Sequence, residues 1–335
     1  MNSREIRFAC RPSGWPGAET YEFATVDVPA PRSGEVTVQN IYMSVDPYMR
    51  GRMNDVRSYV SPFKLGAALE GSAIGEVIAS EASLPIGTFV SSNFGWRESY
   101  TARAESLTVV NSTIAPLSAF LGVLGIPGFT AYVGLFEIAG LKSGEDVFVS
   151  SAAGAVGTAA GAFAKLRGAR TIGSAGSAEK VAFLREIGYD DAFDYHEGDI
   201  LRRLAAFAPH GLSVYFDNVG GEQLRGALFA MRDFGRIAVC GMIAGYNEPV
   251  PGPDNLALLI GRRLTMRGFI VTDHLASYGK FVQEFGPAVR DGRIGVHETI
   301  VQGLDAAPQA LLDVLRGGTH RGKVLVQLAP DPTRA

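Results

Sequence analysis

Cysteine is scarce in this chain of 335 residues, which contains only Cys10 and Cys240. Two cysteines so far apart cannot form a cysteine-rich zinc site, and a single disulfide is not expected in so large a chain. No apolar run reaches the roughly 18 residues of a membrane span. The N-terminal stretch MNSREIRFACRPSGWPG also lacks the apolar segment of a signal peptide. These absences predict a cytoplasmic protein with no membrane partner.

An excess of basic residues is lacking as well. The chain has 31 Lys and Arg against 34 Asp and Glu, for a net charge of −3. This balance argues against nucleic acid as a partner, because binding phosphates requires basic side chains. An apolar content of 47% and a charged content of 19% are those of an ordinary globular protein. The length predicts about two domains.

The first 110 or so residues read as short strands between turns. The strand-like runs are rich in Val, Ile, Tyr and Thr and are separated by Gly and Pro. They are GEVTVQNIYMSV (34–45), ALEGSAIGEVIAS (68–80), GTFVSSNFGW (87–96) and ESYTARAESLTVV (98–110). This part is predicted to be an all-β or α+β domain.

Strand-like runs alternate with helical ones after residues 124–145. Six such alternations, the first being DVFVS followed by AVGTAAGAFAKLRG, predict a doubly wound, mostly parallel sheet. DNLALLIGRR (254–263) is one of the predicted helices. A last strand, KVLVQL (323–328), follows a helix near 306–316 and is expected to pair with the first domain.

The join between the first strand and the first helix of this half is rich in small residues. It reads A-x-G-x-x-G, with Ala152 where a dinucleotide-binding fingerprint has its first glycine. Gly154 would let the backbone approach a pyrophosphate at the helix N-terminus. Gly157 and Gly161 would let the helix lie close to the sheet. The alternative is a small-residue helix that serves packing alone.

The end of the second strand indicates which dinucleotide is bound. An NAD site carries an acid at this tip, whereas here the chain reads GSAGSAEK (173–180), with Glu179 inside the next helix. Ser177 as N-cap and Lys180 one turn later suit a 2′-phosphate. This pattern favours NADP(H), although Lys180 could also be an ordinary surface lysine.

Several stretches together resemble a known family. They are SVDPYMRGRM (44–53), AAGAVG, AGSAEKVAFLREIGYDDAFDY, YFDNVGG (215–221), GRIAVCGMIAGYN (235–247) and GKVLVQL (322–328). The chain resembles the zinc-free medium-chain dehydrogenases/reductases, and within them the double-bond reductases that include leukotriene/prostaglandin, curcumin and alkenal reductases. The resemblance extends from about residue 35 to residue 328.

The resemblance implies an α/β protein with two domains. A GroES-like catalytic domain would comprise 1–122 and 302–335, and a Rossmann NADP-binding domain would comprise 123–301. It also implies a homodimer joined by the edge strands of two Rossmann sheets, for which LTMRGFI (264–270) is the candidate edge.

The resemblance implies a set of NADPH contacts as well. They are Gly154, Ala155, Val156 and Gly157 at the glycine turn, Ser177, Lys180 and Tyr195 at the 2′-phosphate, and Asn218, Cys240, Gly241 and Tyr246 as further cofactor contacts. Phe269, Ile270 and Val271 are expected to line the nicotinamide side. His320 stands where the family usually has an asparagine, and histidine can also donate a hydrogen bond.

No metal is predicted. The Gly-His-Glu zinc motif of the related alcohol dehydrogenases corresponds here to AALEG (67–71), which places Leu69 at the histidine position. Leucine cannot ligate a metal. Hydride addition to a conjugated C=C bond needs only that the enolate oxygen be hydrogen-bonded and that the α-carbon be protonated.

Two tyrosines are the candidate catalytic donors. Tyr48 follows Asp46 and Pro47, which are predicted as N-cap and first helical residue, and Tyr246 lies in a loop after a Rossmann strand. The alternatives are a packing role for Tyr48 and a surface position for Tyr246. Arg50 and Arg52 are expected to be exposed or ion-paired. The histidines His196, His210, His274 and His297 share no ligand spacing and are predicted to be structural.

Three functions remain open on the sequence. The first is an NADPH-dependent reductase of α,β-unsaturated ketones or aldehydes with a small-molecule enone or enal as substrate. The second is an NADPH quinone reductase, and the third is a non-catalytic nucleotide-binding protein. The motif DPYMRGRM favours the first over the second.

Overall fold

The computed structural model describes residues 1–334. They form two compact units: Met1–Leu121 with the segment that begins at Glu298, and Gly122–His297. The sequence analysis assigned residues 298–301 to the Rossmann domain, whereas here they begin the second part of the first unit.

The first unit is mostly strands. In chain order they are β1 (Asn2–Phe8), β2 (Tyr21–Asp27), β3 (Glu35–Ser44), β4 (Ala73–Ser80), β5 (Phe89–Ser92), β6 (Ser99–Arg103) and β7 (Thr108–Val109), with the short helix α1 (Tyr48–Arg52) after β3. The predicted strand over 98–110 is divided into β6 and β7 by a 3₁₀ turn at Ala104–Ser106. The sequence analysis did not identify the antiparallel hairpin of β1 and β2.

The second unit alternates strands and helices as predicted. Its elements are α2 (Ile126–Tyr132), β8 (Asp146–Val149), α3 (Ala155–Leu166), β9 (Arg170–Ala175), α4 (Ala178–Glu186), β10 (Asp191–Asp194), α5 (Ile200–Phe207), β11 (Leu212–Asp217), α6 (Gly221–Ala230), β12 (Met231–Val239), α7 (Leu258–Gly261), β13 (Thr265–Gly268) and α8 (Tyr278–Arg290). The predicted helix over 254–263 is only the four residues of α7.

The six strands of this unit form one parallel sheet in the order β10-β9-β8-β11-β12-β13. The strand order reverses between β8 and β11. In open sheets of this kind, ligands bind outside the carboxyl ends of the strands at such a reversal. The ends of β8 and β11 are therefore where a dinucleotide is expected.

Apolar helices cover both faces of the sheet. On one face, Phe163 of α3 packs with Phe281 and Phe285 of α8. On the other face, α5 and α6 contribute Leu204 and Leu224 to a core that includes strand residues. All six residues of β11 are buried. Burial on both faces explains why these strands lack polar alternation.

The chain then returns to the first unit with β14 (Glu298–Gln302), α9 (Ala307–Arg316) and β15 (Lys323–Gln327). β15 pairs in parallel with β14 and antiparallel with β3, so the last strand joins the first domain as predicted. None of the helices within residues 1–334 is both long and apolar enough to cross a membrane.

Candidate cofactor and active site

The turn from β8 to α3 tolerates Ala152 because another residue makes the sharp turn. Ser151 has a φ of 51°, in the left-handed region, whereas Ala152 is fully buried and donates its N–H to Ser174 O at 2.9 Å. Gly154 is the N-cap of α3 in extended conformation. The left-handed conformation that the first fingerprint glycine would allow is thus adopted by Ser151, one position earlier.

Gly157 is required by a close approach of backbone to backbone. A Cβ at Gly157 would lie 2.5 Å from Ala152 Cα and from Ser151 O. Gly161 was predicted to lie close to the sheet. In the structure its neighbour is Tyr189, since a Cβ on Gly161 would lie 2.3 Å from the Tyr189 ring. The Tyr189 hydroxyl donates to Gly157 O at 2.7 Å. A buried tyrosine therefore packs against the fingerprint helix.

The N-terminus of α3 fits the pyrophosphate of a dinucleotide. Gly154 has no side chain and so cannot cap the N–H groups of the first turn, which include those of Ala155 and Val156. The helix has 12 residues, and its dipole adds partial positive charge at this end. Free N–H groups, a glycine entry and a positive dipole together form an anion-binding end.

The ends of β9 and β10 lie side by side. Ser177 caps α4, its hydroxyl oxygen accepting the Lys180 N–H at 3.3 Å. Tyr195 follows β10, and its hydroxyl oxygen would lie 3.1 Å from a Cβ on Gly176. Burial, and then the Asp194 charge, raise the pKa of Tyr195, so its phenol stays protonated and able to donate. Ser177 and Tyr195 thus lie close to Gly176 at one strand edge, and Lys180 lies in the first turn of α4 beside them.

A buried polar network joins the ends of β8 and β11. Asp217 Oδ1 accepts from the Tyr215 hydroxyl at 2.6 Å, from Val219 N at 2.9 Å and from Gly220 N at 2.8 Å. It also accepts from Ser150 Oγ at 3.2 Å. Burial raises the pKa of Asp217, and these hydrogen bonds oppose that rise. Ser150, Tyr215 and Asp217 were not among the residues predicted from the sequence.

This network orients Asn218. Its Nδ2 donates to Ser150 O at 2.8 Å, and its backbone N–H donates to Ser150 Oγ at 2.9 Å. With Nδ2 bound in this way, Asn218 presents its amide oxygen as the remaining acceptor. The amide is therefore oriented before any ligand arrives.

Cys240 was predicted to be the last residue of a strand. In the structure β12 ends at Val239, and Cys240 is the first residue of the following loop. The N–H groups of Cys240 and Gly241 donate to Asp217 O at 2.8 Å and 3.1 Å, so they are not open to a ligand. Burial raises the pKa of the Cys240 thiol to about 12, which keeps it protonated. The Tyr246 hydroxyl oxygen would lie 3.1 Å from a Cβ on Gly241 and therefore borders the same edge.

Phe269, Ile270 and Val271 follow β13 at the same carboxyl edge of the sheet. The Phe269 ring lies 6.5 Å from that of Phe216 and contacts Gly134, where a Cβ would be 2.9 Å from its Cζ. Gly134 thus makes room for both aromatic rings. Ile270 and Val271 are half-buried.

Tyr48 and His320 belong to the first unit, whereas the other predicted site residues belong to the second. Tyr48 begins α1, and burial, followed by the Asp46 charge, raises the pKa of its phenol. The predicted capping role of Asp46 is wrong, because Pro47 occupies the N-cap position. Asp46 instead accepts from Ser44 and from the buried Lys323, whose Nζ lies 2.8 Å away.

The two arginines after Tyr48 are buried, so the expectation of exposed side chains is wrong. Arg52 forms an ion pair with Glu70 at 2.6 Å, which confirms the other expectation, that of an ion-paired arginine. Arg50 donates to Asn54 Oδ1 and to Gly14 O, each at 2.8 Å. Both side chains are thus occupied in binding their own domain.

Leu69 is 1% exposed and packs in the core of the first unit. His320, after α9, is half-buried. Within residues 1–334 no three His, Cys, Asp or Glu side chains are grouped so that they could hold a metal ion. Cys10 and Cys240 are both free thiols.

A parallel sheet with a glycine turn at its reversal, and with hydroxyl groups beside the end of its second strand, is typical of a dinucleotide-binding protein. Residues 4–110 match the family described as the N-terminal domain of oxidoreductase, and residues 155–285 match the zinc-binding dehydrogenases. The chain belongs to the medium-chain dehydrogenase/reductase family, in its zinc-free double-bond reductase branch.

Relatives and solved structures agree with this placement. The putative NADP-dependent oxidoreductase YfmJ of Bacillus subtilis is 40% identical over 99% of each chain. The NADP⁺-dependent 2-alkenal reductase of Nicotiana tabacum is 40% identical over 95% of each chain. The structure of CurA from Vibrio vulnificus with NADPH superimposes with a TM-score of 0.92 at 36% identity, covering 98% of this chain and 99% of that one.

Proposed function

We propose that this protein reduces the C=C bond of α,β-unsaturated ketones and aldehydes with NADPH. The observation that carries the proposal is the similarity along nearly the whole chain to a 2-alkenal reductase, at 40% identity over 95% of both chains. The strand edge with Ser177, Lys180 and Tyr195 supports NADPH as the cofactor, because these groups suit a 2′-phosphate.

The residues assigned to the cofactor follow the strand ends of the second unit. Gly154, Ala155, Val156 and Gly157 would hold the pyrophosphate, and Ser177, Lys180 and Tyr195 the 2′-phosphate. Asn218, Cys240, Gly241 and Tyr246 would make further cofactor contacts, and Phe269–Val271 would line the nicotinamide side. When bound, NADPH supplies a hydride for the β-carbon of the substrate.

The protein's own part in the reaction is to stabilise the negative charge that develops on the carbonyl oxygen. Hydrogen-bond donors aimed at that oxygen lower the barrier. Tyr246 is the first candidate donor, since its hydroxyl lies at the edge formed by Gly241 and Asn218. Tyr48 is the second, and its raised pKa keeps its phenol protonated at neutral pH. Either hydroxyl can also deliver the proton that the α-carbon requires.

A substrate panel tests this function. NADPH oxidation is measured with 2-alkenals, cyclic enones, aryl enones and quinones, and with the saturated analogue of each carbonyl compound as a control. We expect turnover of enals or enones with the saturated ketone or aldehyde as product, and none of the saturated analogues. Turnover of quinones alone would replace the proposal with quinone reduction. No turnover despite tight NADPH binding would favour a non-catalytic role.

We also propose a cytoplasmic homodimer. All four residues of β13 are exposed at the edge of the Rossmann sheet, and Met266 among them is 38% exposed. Within residues 1–334 the strand pairs with β12 on one side only, and such an open edge can pair with a second copy. A monomeric mass at micromolar concentration in light scattering would contradict this arrangement.

A further inference from the structure

His196 lies at the adenosine end of the proposed nucleotide site, although the sequence analysis treated it as structural. Its ring lies 4.1 Å from the Tyr195 ring, with 40° between the two planes. A Cβ on Gly176 would be 3.3 Å from His196 Cε1 and 3.1 Å from the Tyr195 hydroxyl oxygen. Both rings therefore border Gly176, which precedes the N-cap Ser177 of α4.

The orientation of the His196 ring is set by a carboxylate. Nδ1 lies 3.1 Å from Asp194 Oδ1, which also accepts the His196 backbone N–H at 2.9 Å. Because a carboxylate only accepts, Nδ1 must carry the proton of the neutral ring. Nε2 then holds a lone pair and has nothing to donate to a phosphate. Only the protonated ring offers an Nε2–H to a phosphate oxygen.

The charges around this ring define the expected pH dependence. Asp194 faces Nδ1, and the neighbouring Glu197 is within 3.7 Å of Arg203 on α5. Glu179 and Lys180 lie in the first turn of α4, which packs beside β10. Lysine and carboxylate side chains ordinarily keep their charges between pH 6.5 and 8, whereas histidine changes its charge in this range.

We propose that His196 is a specificity-determining residue that binds the 2′-phosphate in its protonated form, so that the preference for NADPH over NADH increases as the pH falls from 8 to 6.5. The inference rests on the proposed cofactor site. It requires that the protein take up a proton when the 2′-phosphate binds, because proton binding and phosphate binding favour each other.

Isothermal titration calorimetry with NADP⁺ and NAD⁺ tests this, in two buffers of different ionisation enthalpy at pH 6.5, 7 and 8. If phosphate binding makes His196 hold its proton about tenfold more tightly, the NADP⁺/NAD⁺ affinity ratio should rise several-fold between pH 8 and pH 6.5. The same linkage requires a net uptake of protons when NADP⁺ binds, and none of this uptake when NAD⁺ binds.

Three variants separate the contribution of His196 from other titrations. His196→Gln should lose the uptake and keep only the pH dependence of the 2′-phosphate itself. His196→Arg, whose charge is fixed, should bind NADP⁺ tightly at both pH values without uptake. His210→Gln serves as the matched control, since His210 is an exposed histidine just before β11, at the opposite end of the sheet. It should match the unmodified protein.

Two results would overturn the inference, and they distinguish its failure from that of the proposed cofactor site. If His196→Gln takes up as many protons as the unmodified protein, His196 is not the linked group, while the NADPH site stands. If the unmodified protein does not prefer NADP⁺ at any pH, the proposed 2′-phosphate site fails and the inference fails with it.

Discussion

Two parts of one strand edge differ in how their polar groups are held. At the ends of β8 and β11, Ser150, Tyr215 and Asp217 are each 0% exposed and bonded to one another. We call these three residues with Asn218 the inner region. At the ends of β9 and β10, Tyr195 is 38% exposed, and with Gly176, Ser177, Lys180 and His196 it forms the outer region.

The difference in exposure indicates that the two regions have different roles in binding the cofactor. The inner region is fixed by buried hydrogen bonds before a ligand binds, so it can orient the reacting end of the cofactor with little loss of entropy on binding. In the proposed site, the outer region would recognise the 2′-phosphate with side chains that water can reach. Changes in the inner region should therefore affect NADPH and NADH alike, and changes in the outer region should affect only NADPH.

The largest effect is expected where the inner region meets α3. Gly157→Val places side-chain atoms where a Cβ alone would be 2.5 Å from the backbone of Ser151 and Ala152. Because backbone cannot move aside cheaply, we expect a loss of about 3 kcal/mol in the free energy of unfolding in urea and no binding of either cofactor.

Gly154→Ala is the matched control for this substitution. Its Cβ would be 3.3 Å from Ser151 O, a contact that small shifts relieve. We expect stability within about 1 kcal/mol of the unmodified protein and weaker binding of both cofactors, through the lost approach of the pyrophosphate. A Gly157→Val protein of unchanged stability would refute the close packing.

The two candidate catalytic tyrosines have the next largest expected effect. Removing a donor to a developing oxyanion typically costs about 10² to 10³ in kcat. Tyr246→Phe and Tyr48→Phe are each assayed with saturating NADPH and a good enone. We expect kcat to fall at least about tenfold in one of them, with an unchanged NADPH/NADH ratio. Near-normal kcat in both variants and in the double variant would rule out tyrosine donation.

Asp217 tests whether the inner region serves both cofactors. Asp217→Ala removes the acceptor of Tyr215, Val219 and Gly220, and we expect it to cost about 2 kcal/mol of stability. NADPH and NADH should lose affinity by the same factor. Asp217→Asn keeps one oxygen and should recover most of both losses. A loss confined to NADPH would contradict the division between the two regions.

Lys180 gives the smallest effect and the most selective one. A charge-assisted bond to phosphate contributes about 1.5 kcal/mol or more, so Lys180→Ala should raise KM for NADPH about tenfold or more and leave KM for NADH nearly unchanged. Steady-state kinetics with both cofactors measures this. Equal losses for the two would show that Lys180 supports the fold and not the phosphate.

The sequence was sufficient to predict the parallel sheet and the strand edge at which a dinucleotide is expected. Six alternations of strand and helix predict a parallel sheet, and ligands of such sheets lie at the carboxyl ends of the strands. The turn at Gly154 and the N-cap at Ser177 follow from local signals, and the structure has both residues in those positions. Local and periodic features of this kind can be recognised in a single chain.

The parts that sequence reasoning missed depend on distant contacts. Tyr215 and Ser150 are 65 positions apart, and their hydrogen bond exists only because β8 and β11 are neighbours. The contact between Tyr189 and Gly161 likewise exists only because the fold brings the two residues together. The β1 strand was missed because only Ile6 and Phe8 of its buried residues are apolar, with Arg7 between them, and Arg4 and Glu5 before them break the apolar pattern.

The fate of the hydride tests the central claim most directly. The protein is supplied with NADPH carrying deuterium at the transferable C4 position and with an α,β-unsaturated ketone, and the product is analysed by NMR. We predict a saturated ketone with deuterium on the β-carbon. When the reaction is run in D₂O, the α-carbon should also carry deuterium, which comes from the solvent. Deuterium on the carbonyl carbon, in an allylic alcohol, would contradict the account.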